Sequence, residues 1–143
     1  NLVYTRYADD ITLSGTINNL NETLEQLYDI LKRQGFSPNL TKTKFVRKGQ
    51  LKIVTGLSVT DSLLRIPKKY KDKVKQELYY IEKFGPEAHC NKIGCSNILT
   101  YFLHLEGKIN FIKQVEQEIG NKFSLKLNEL VPELTLYKAI NSE

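Results

Sequence analysis

The stretch LVYTRYADDITLSG, residues 2–15, decides how the rest of the chain is read. It sets two adjacent carboxylates, Asp9 and Asp10, between two runs rich in Val, Tyr, Thr, Ile and Leu. The first run alternates, with Val3, Thr5 and Tyr7 on one side and Leu2, Tyr4 and Arg6 on the other, and the second turns Ile11 and Leu13 to one face. This pattern predicts a β-hairpin with Asp9 and Asp10 at its tip. Adjacent aspartates in a turn serve two different ends. Asp supplies local hydrogen bonds and tolerates turn dihedrals, so an isolated pair is most often structural. Short carboxylates on a rigid hairpin also suit Mg2+, which takes hard oxygen ligands and keeps several waters. Only the residues downstream of the hairpin can decide between the two.

A helix is expected next, from the apolar stripe Leu20, Leu24, Leu27, Tyr28 and Leu31, with Asn19 and Glu22 as a capping box. Gly35 suits its C-terminal cap and Pro38 prevents continuation. Its stripe should pack across the back of the hairpin. From Lys44 to Val59 the residues Phe45, Val46, Leu51, Ile53, Val54, Leu57 and Val59 read as two or three short strands, punctuated by Gly49 and Gly56. Turn-forming Asp61 and Ser62 mark a lobe boundary. Pro67 then opens a helix with Tyr70, Val74, Leu78 and Ile81 on one stripe, closed by Gly85 and Pro86. A loop with Gly94 is expected after it, then two helical patterns, Ile98, Leu99, Phe102, Leu103 and Ile109, Ile112, Val115, Ile119. Residues after Lys122 read as helical or irregular until Pro132 breaks them. The fold class is α+β, with a mixed lobe at residues 1–60 and a helical bundle at residues 61–143.

Composition narrows the classes. With 41% hydrophobic and 26% charged residues in 143, the chain is neither disordered nor membrane-spanning in character, and no apolar run approaches the ~20 residues of a spanning helix. No targeting segment is visible, and Cys90 and Cys95 are too few for a secreted disulfide scaffold, so a reducing cytoplasm is expected. CysX4Cys beside His89 and His104, with no second close pair, is a poor tetrahedral zinc pattern; structural or incidental cysteines are expected. There is no methionine, even at position 1, and the opening residues already read as strand interior, as in a fragment of a longer protein.

The net charge of +5 is unevenly spread. Residues 42–75 hold eleven basic side chains against two acids, a local +9 that leaves −4 for the remainder. Such a segment suits a polyanion, although a solvated lysine face would look similar. Arg65, Lys68, Lys69, Lys71, Lys73 and Lys75 are the candidate nucleic-acid contacts, and Tyr79 and Tyr80 could stack on bases beside them.

TyrAlaAspAsp at a hairpin tip with such flanks resembles the YxDD motif C of reverse transcriptases, and the order of everything downstream resembles the same family. GlyPheSerProAsnLeuThrLysThrLys, residues 35–44, is similar to its motif D region, with Lys42 or Lys44 in the place of the motif lysine. IleValThrGlyLeuSerVal, residues 53–59, is similar to its primer-grip hairpin. ArgIleProLysLysTyr with the helix after it, and GlyLysIleAsnPheIleLysGlnVal at 107–115, resemble the thumb of bacterial enzymes. The ValThrGly triplet favours the retron type over group II intron proteins.

The resemblance implies the C-terminal part of a polymerase palm followed by an all-helical thumb, taken from a bacterial, cytoplasmic enzyme of RNA-templated DNA synthesis. It implies two-metal nucleotidyl transfer with Asp9 and Asp10 as ligands of Mg2+, or of Mn2+ in its place, and Lys42 as a candidate general acid. Tyr7, Ala8, Thr55 and Gly56 become candidate contacts to primer or nucleotide. The implied partners are an RNA template, an RNA/DNA primer duplex, dNTP and the family's N-terminal fingers and palm, with no membrane. The family completes its metal site with a motif A aspartate from an earlier strand, which this sequence lacks, so the chain by itself is expected to be inactive and prone to self-association. Two alternatives remain: another palm-fold nucleotidyl transferase, or a nucleic-acid-binding module whose acids only shape a turn.

Overall fold

Two strands joined by two residues open the chain. In the computed structural model, which describes residues 1–60 and 63–134, β1 (Leu2–Tyr7) pairs antiparallel with β2 (Asp10–Gly15), from Leu2 opposite Gly15 to Tyr7 opposite Asp10. The turn residues are therefore Ala8 and Asp9, and Asp10 is the first residue of β2 rather than part of the tip. Cross-strand partners share a face, so Tyr4, Arg6, Ile11 and Leu13 lie on one side and Thr5, Tyr7, Asp10 and Thr12 on the other.

Helix α1 (Leu20–Arg33) starts as its sequence demands. The Asn19 side-chain oxygen accepts the Glu22 backbone N–H at 3.3 Å, and the Asn19 amide donates to the Glu22 carboxylate at 3.1 Å. Leu24, Leu27, Tyr28 and Leu31 are half-buried, but Leu20 is exposed and no residue of α1 is fully buried. The expected closure of this stripe onto the hairpin is thus not a sealed core within the described residues. Tyr28 and Thr43 share a hydroxyl–hydroxyl bond of 2.7 Å. Phe45 and Val46, expected in a strand, are irregular and exposed. The Arg47 N–H donates to the Gln50 side chain at 2.8 Å, a local bond that competes with a strand ladder, and β3 is confined to Lys52–Val54.

Contact density divides the chain into Asn1–Thr55 and Gly56–Glu143. The boundary expected at Asp61 and Ser62 lies outside the described residues. In the second unit, β4 (Leu57–Val59) pairs antiparallel with β5 (Leu64–Arg65), with Ser58 opposite Arg65. The Thr60 hydroxyl and N–H both donate to the Leu63 carbonyl, at 2.8 and 3.2 Å. Four helices come next: α2 (Lys68–Phe84), α3 (Pro86–Ile93), α4 (Ile98–Val115) and α5 (Gln117–Leu130).

Their core joins Ile66, Val74, Leu78 and Ile81 to Phe102, Leu105, Ile109 and Ile112 of α4 and to Leu127, Val131 and Leu134. Tyr70 meets Phe111 edge-on with centroids 5.7 Å apart. Two expectations fail here. Residues 86–93 form a helix rather than a loop, because Gly85 at φ 82 ends α2 and Pro86 fits the first turn of the next helix. The two patterns read after Ser96 also merge into the single helix α4 up to Val115, since burial of Leu105 and Ile109 on either side of Gly107 carries the chain straight through. Among the described residues, no helix is long and apolar enough to cross a membrane.

Candidate functional site

The hairpin tip is a strained two-residue turn. Ala8 holds φ 50, a left-handed conformation that costs an L-residue about 1–2 kcal/mol, and Asp9 completes the turn. The two neighbouring carboxylates hold different backbone settings: Asp9 sits in the turn, while Asp10 is fixed by the ladder opposite Tyr7 and shares its face. Tyr7 is 71% exposed, and Asp9 and Asp10 are exposed with it. The tip therefore presents two hard, acceptor-only ligands and a phenol ring to the solvent. Among the described residues, no group of three His, Cys, Asp or Glu side chains converges to hold a metal ion. The donor chemistry of Asp9 and Asp10 fits Mg2+ or Mn2+, ions that are often held by one or two carboxylates together with substrate phosphates.

Lys42 closes a short 3-10 turn, Leu40–Lys42, in which the Asn39 side-chain oxygen accepts from the Thr41 N–H at 3.1 Å and from its hydroxyl at 2.7 Å. Its side chain, like that of Lys44, is exposed. Thr55 and Gly56 both have positive φ, 47 and 83, the dihedral signs of a tight hairpin turn. Thr55 takes this conformation without a glycine's freedom, as Ala8 does at the first hairpin.

The basic segment separates into two classes of side chain. Lys68, Lys69, Lys73 and Lys75 are exposed on α2, and Arg65 is exposed on β5. Lys69, Lys73 and Lys75, with Asp72, Gln76 and Tyr79, line one shallow depression along α2. Lys71 is different. Its ammonium donates to both oxygens of Glu116, at 2.9 and 2.8 Å, and Glu116 also accepts the Ile66 N–H at 2.7 Å. Burial pushes the Glu116 carboxyl up, but the bonds from Lys71 and from the Ile66 amide, with the charges of Lys71 and Arg65, outweigh it and hold the group below the usual carboxylate range. Sequence reasoning missed Glu116 because its only local mark is a break between α4 and α5.

A second polar group lies inside the helical unit. The Tyr101 hydroxyl donates to Glu77 at 3.1 Å and bonds the buried His89 Nε2 at 3.1 Å, while Lys108 donates to Glu77 at 3.0 and 3.3 Å. Since the Tyr101 proton goes to Glu77, His89 Nε2 is the donor in its bond to Tyr101. Burial first, then the Glu77 charge and hydrogen bond, push the Tyr101 hydroxyl well above its ordinary range. Cys90 and Cys95 are joined across the turn at Gly94, with Cα atoms 5.2 Å apart. Glu77, His89, Tyr101 and Lys108 tie α2, α3 and α4 together.

No protein-family model matches the chain. Over 122 residues, 85% of its length, it is 25% identical to the retron Mx65 reverse transcriptase of Myxococcus xanthus. Over 130 residues, 90% of its length, it is 24% identical to the retron Ec86 reverse transcriptase of Escherichia coli. The chain spans 26% and 37% of the length of these two curated relatives. The resemblance to bacterial reverse transcriptases of the retron type is thus borne out over most of the chain.

Proposed function

We propose that this chain is the closing part of the palm and the thumb of an RNA-directed DNA polymerase of the retron type. The observation that carries the reading is the tip of the first hairpin, where Asp9 occupies the turn and Asp10 is held opposite exposed Tyr7. Asp9 and Asp10 would hold Mg2+, which when bound lowers the pKa of an attacking 3′ hydroxyl and neutralises triphosphate charge. Their short side chains on a paired ladder limit the wander of the ligand oxygens. Tyr7 with Ala8, and the Thr55–Gly56 turn, are the surfaces offered to the primer end and the nucleotide. Lys42 is the candidate proton donor to the leaving pyrophosphate. Exposed Lys68, Lys69, Lys73 and Lys75, with Arg65, hold the phosphates of the template–primer duplex and set its position without reading its bases. The remainder of a chain as long as the relatives would supply the further carboxylate and the fingers, so the 143 residues alone should not extend a primer.

The test is Asp9→Asn in the intact enzyme. Asn is equally at home in the turn, so thermal melting should be unchanged while Mg2+-dependent primer extension is lost. Extension near the wild-type rate would end the polymerase reading. A binding module without catalysis is the second reading, favoured by the place of Asp9 in a two-residue turn, where an aspartate serves the backbone equally well. Mg2+ titration followed by NMR separates the two: a polymerase palm shows shifts at Asp9 and Asp10, and a binding module shows none there.

A further inference from the structure

The solvent side of α2 does not end with its lysines. Lys69, Lys73, Gln76, Tyr80 and Lys83 recur at intervals of three or four, so they share the face opposite the buried Val74, Leu78 and Ile81. From Lys69 to Phe84 the helix runs about 22 Å, and half-way along it the lysines give way to rings: half-buried Tyr80, beside His89 of α3, is flanked by Tyr79 on one side and Phe84 on the other. Tyr79 is 49% exposed and Phe84 47%, large values for rings in a helical unit with a well-filled core. Tyr79 and Tyr80 have centroids 5.7 Å apart, and Tyr80 and Phe84 6.1 Å, so the three rings form one continuous strip. Two ammonium groups sit over it. Lys83 lies 5.7 Å from the Tyr79 centroid and 5.4 Å from that of Phe84, and Lys92 of α3 lies 6.0 Å from Tyr80 and 5.4 Å from Phe84.

The charges around the strip point to an anionic, flat-faced ligand. Among the described residues, neither Lys83 nor Lys92 forms an ion pair, and the adjacent Glu82 is already bonded to Lys126 at 2.6 Å. Exposed rings, here Tyr79 and Phe84, beside ammonium groups without an ion pair are the combination that holds unpaired nucleotides: bases stack on the rings and the phosphates take the cations. Within a duplex the base faces are covered by their neighbours, so only an end pair could reach a ring, whereas every base of an unpaired strand can stack. Tyr79 also lines the depression that contains Lys69, Lys73 and Lys75, so a strand leaving a duplex on the lysines would meet the rings next.

We propose that Tyr79, Tyr80 and Phe84, with Lys83 and Lys92, form a landing strip for single-stranded nucleic acid, continuous with the lysine track. The inference rests on the reading of that track as a nucleic-acid surface. The test is fluorescence anisotropy of the 143-residue chain with two labelled probes, a short unstructured oligouridylate and a blunt, two-stranded RNA–DNA hybrid without a loop. Tyr79→Ala with Phe84→Ala should weaken oligouridylate binding about tenfold or more and leave the blunt hybrid unchanged. Tyr79→Phe with Phe84→Tyr, which keeps both rings, should restore binding. Lys83→Gln with Lys92→Gln should lower the single-strand salt slope by about 0.7 per lysine. Far-UV melting of each variant checks that the fold is retained. If ring removal leaves oligouridylate binding intact while Lys69→Gln with Lys73→Gln weakens the hybrid, this inference is wrong and the duplex reading stands. If neither probe binds, both are wrong. If sedimentation shows instead that the chain is a dimer which Tyr79→Ala dissociates, the strip is a contact between copies and the inference is overturned.

Discussion

Lys71 and Glu116, 45 residues apart in sequence, meet with both carboxylate oxygens within 2.9 Å of the ammonium. The pair fastens the first turn of α2 to the break between α4 and α5, and the Ile66 amide adds a third bond to the same carboxylate. A lysine in the middle of a basic run is thus occupied with holding the helical unit together.

The pH dependence stems from Glu116. Its folded pKa is lowered, so the stability it contributes is present above the ordinary glutamate value and is lost as pH falls through the lower folded value. Thermal melting followed by circular dichroism should drop on acidification through that window. In Glu116→Gln this component should be missing, and the variant should already be about 1.5–3 kcal/mol less stable at neutral pH. An acid profile identical to the parent's would contradict the role given to this carboxylate.

The lysines should divide in the same way. Lys69→Gln and Lys73→Gln, both at exposed positions, should each reduce the salt slope of duplex binding by about 0.9 and leave the melting temperature nearly unchanged. Lys71→Gln should do the reverse, lowering the melting temperature with a smaller effect on the slope. A salt series and a melt on the same three proteins decide the matter.

Two glycines of the helical unit should respond oppositely to alanine. A Cβ on Gly120 would overlap the backbone of Lys113 where α5 crosses α4, so the cost of overpacking, about 1–3 kcal/mol, exceeds the gain in helix propensity of about 1 kcal/mol. Gly107, in the middle of α4, has nothing within 4 Å of its added Cβ. Gly107→Ala should therefore stabilise by about 0.5–1 kcal/mol, and Gly120→Ala should destabilise. Urea midpoints measure both.

The first hairpin should need a partner. Leu2, Val3 and Tyr4 are each about half exposed, at 48%, 54% and 55%, and β1 pairs with a strand only through β2 within the described residues of this unit. Adding the segments that precede the corresponding region in the longer relatives should raise the melting temperature of this unit, or else the chain alone should self-associate. A strictly monomeric chain at high concentration, with a melt indifferent to the added segments, would refute the proposal.

Much of the local structure was legible in the sequence. Strand alternation either side of TyrAlaAspAsp gave the first hairpin, and Asn19 with Glu22 marked the start of α1. These features depend on neighbours within a few residues, whose dihedral and capping preferences act without help from the rest of the chain. The likeness to retron reverse transcriptases was also read from short stretches of sequence taken in order along the chain.

What lay beyond the sequence was the choice among local options that distant contacts make. In α4, Ile98, Leu99, Phe102 and Leu103 looked like one stripe, yet Ile98 and Leu103 are exposed and Leu105 is completely buried, because that helix is apolar on more than one side. Only packing against Val74, Leu78 and Leu127 decides which side turns inward. The same holds for charge. The five lysines between residues 68 and 75 of α2 are alike in sequence, and it is the arrival of Glu116 from the far end of α4 that withdraws Lys71 from solvent and leaves the others to the surface. A periodic pattern states which residues can share a face; which face is buried, and which charge is neutralised, is set by elements tens of residues away.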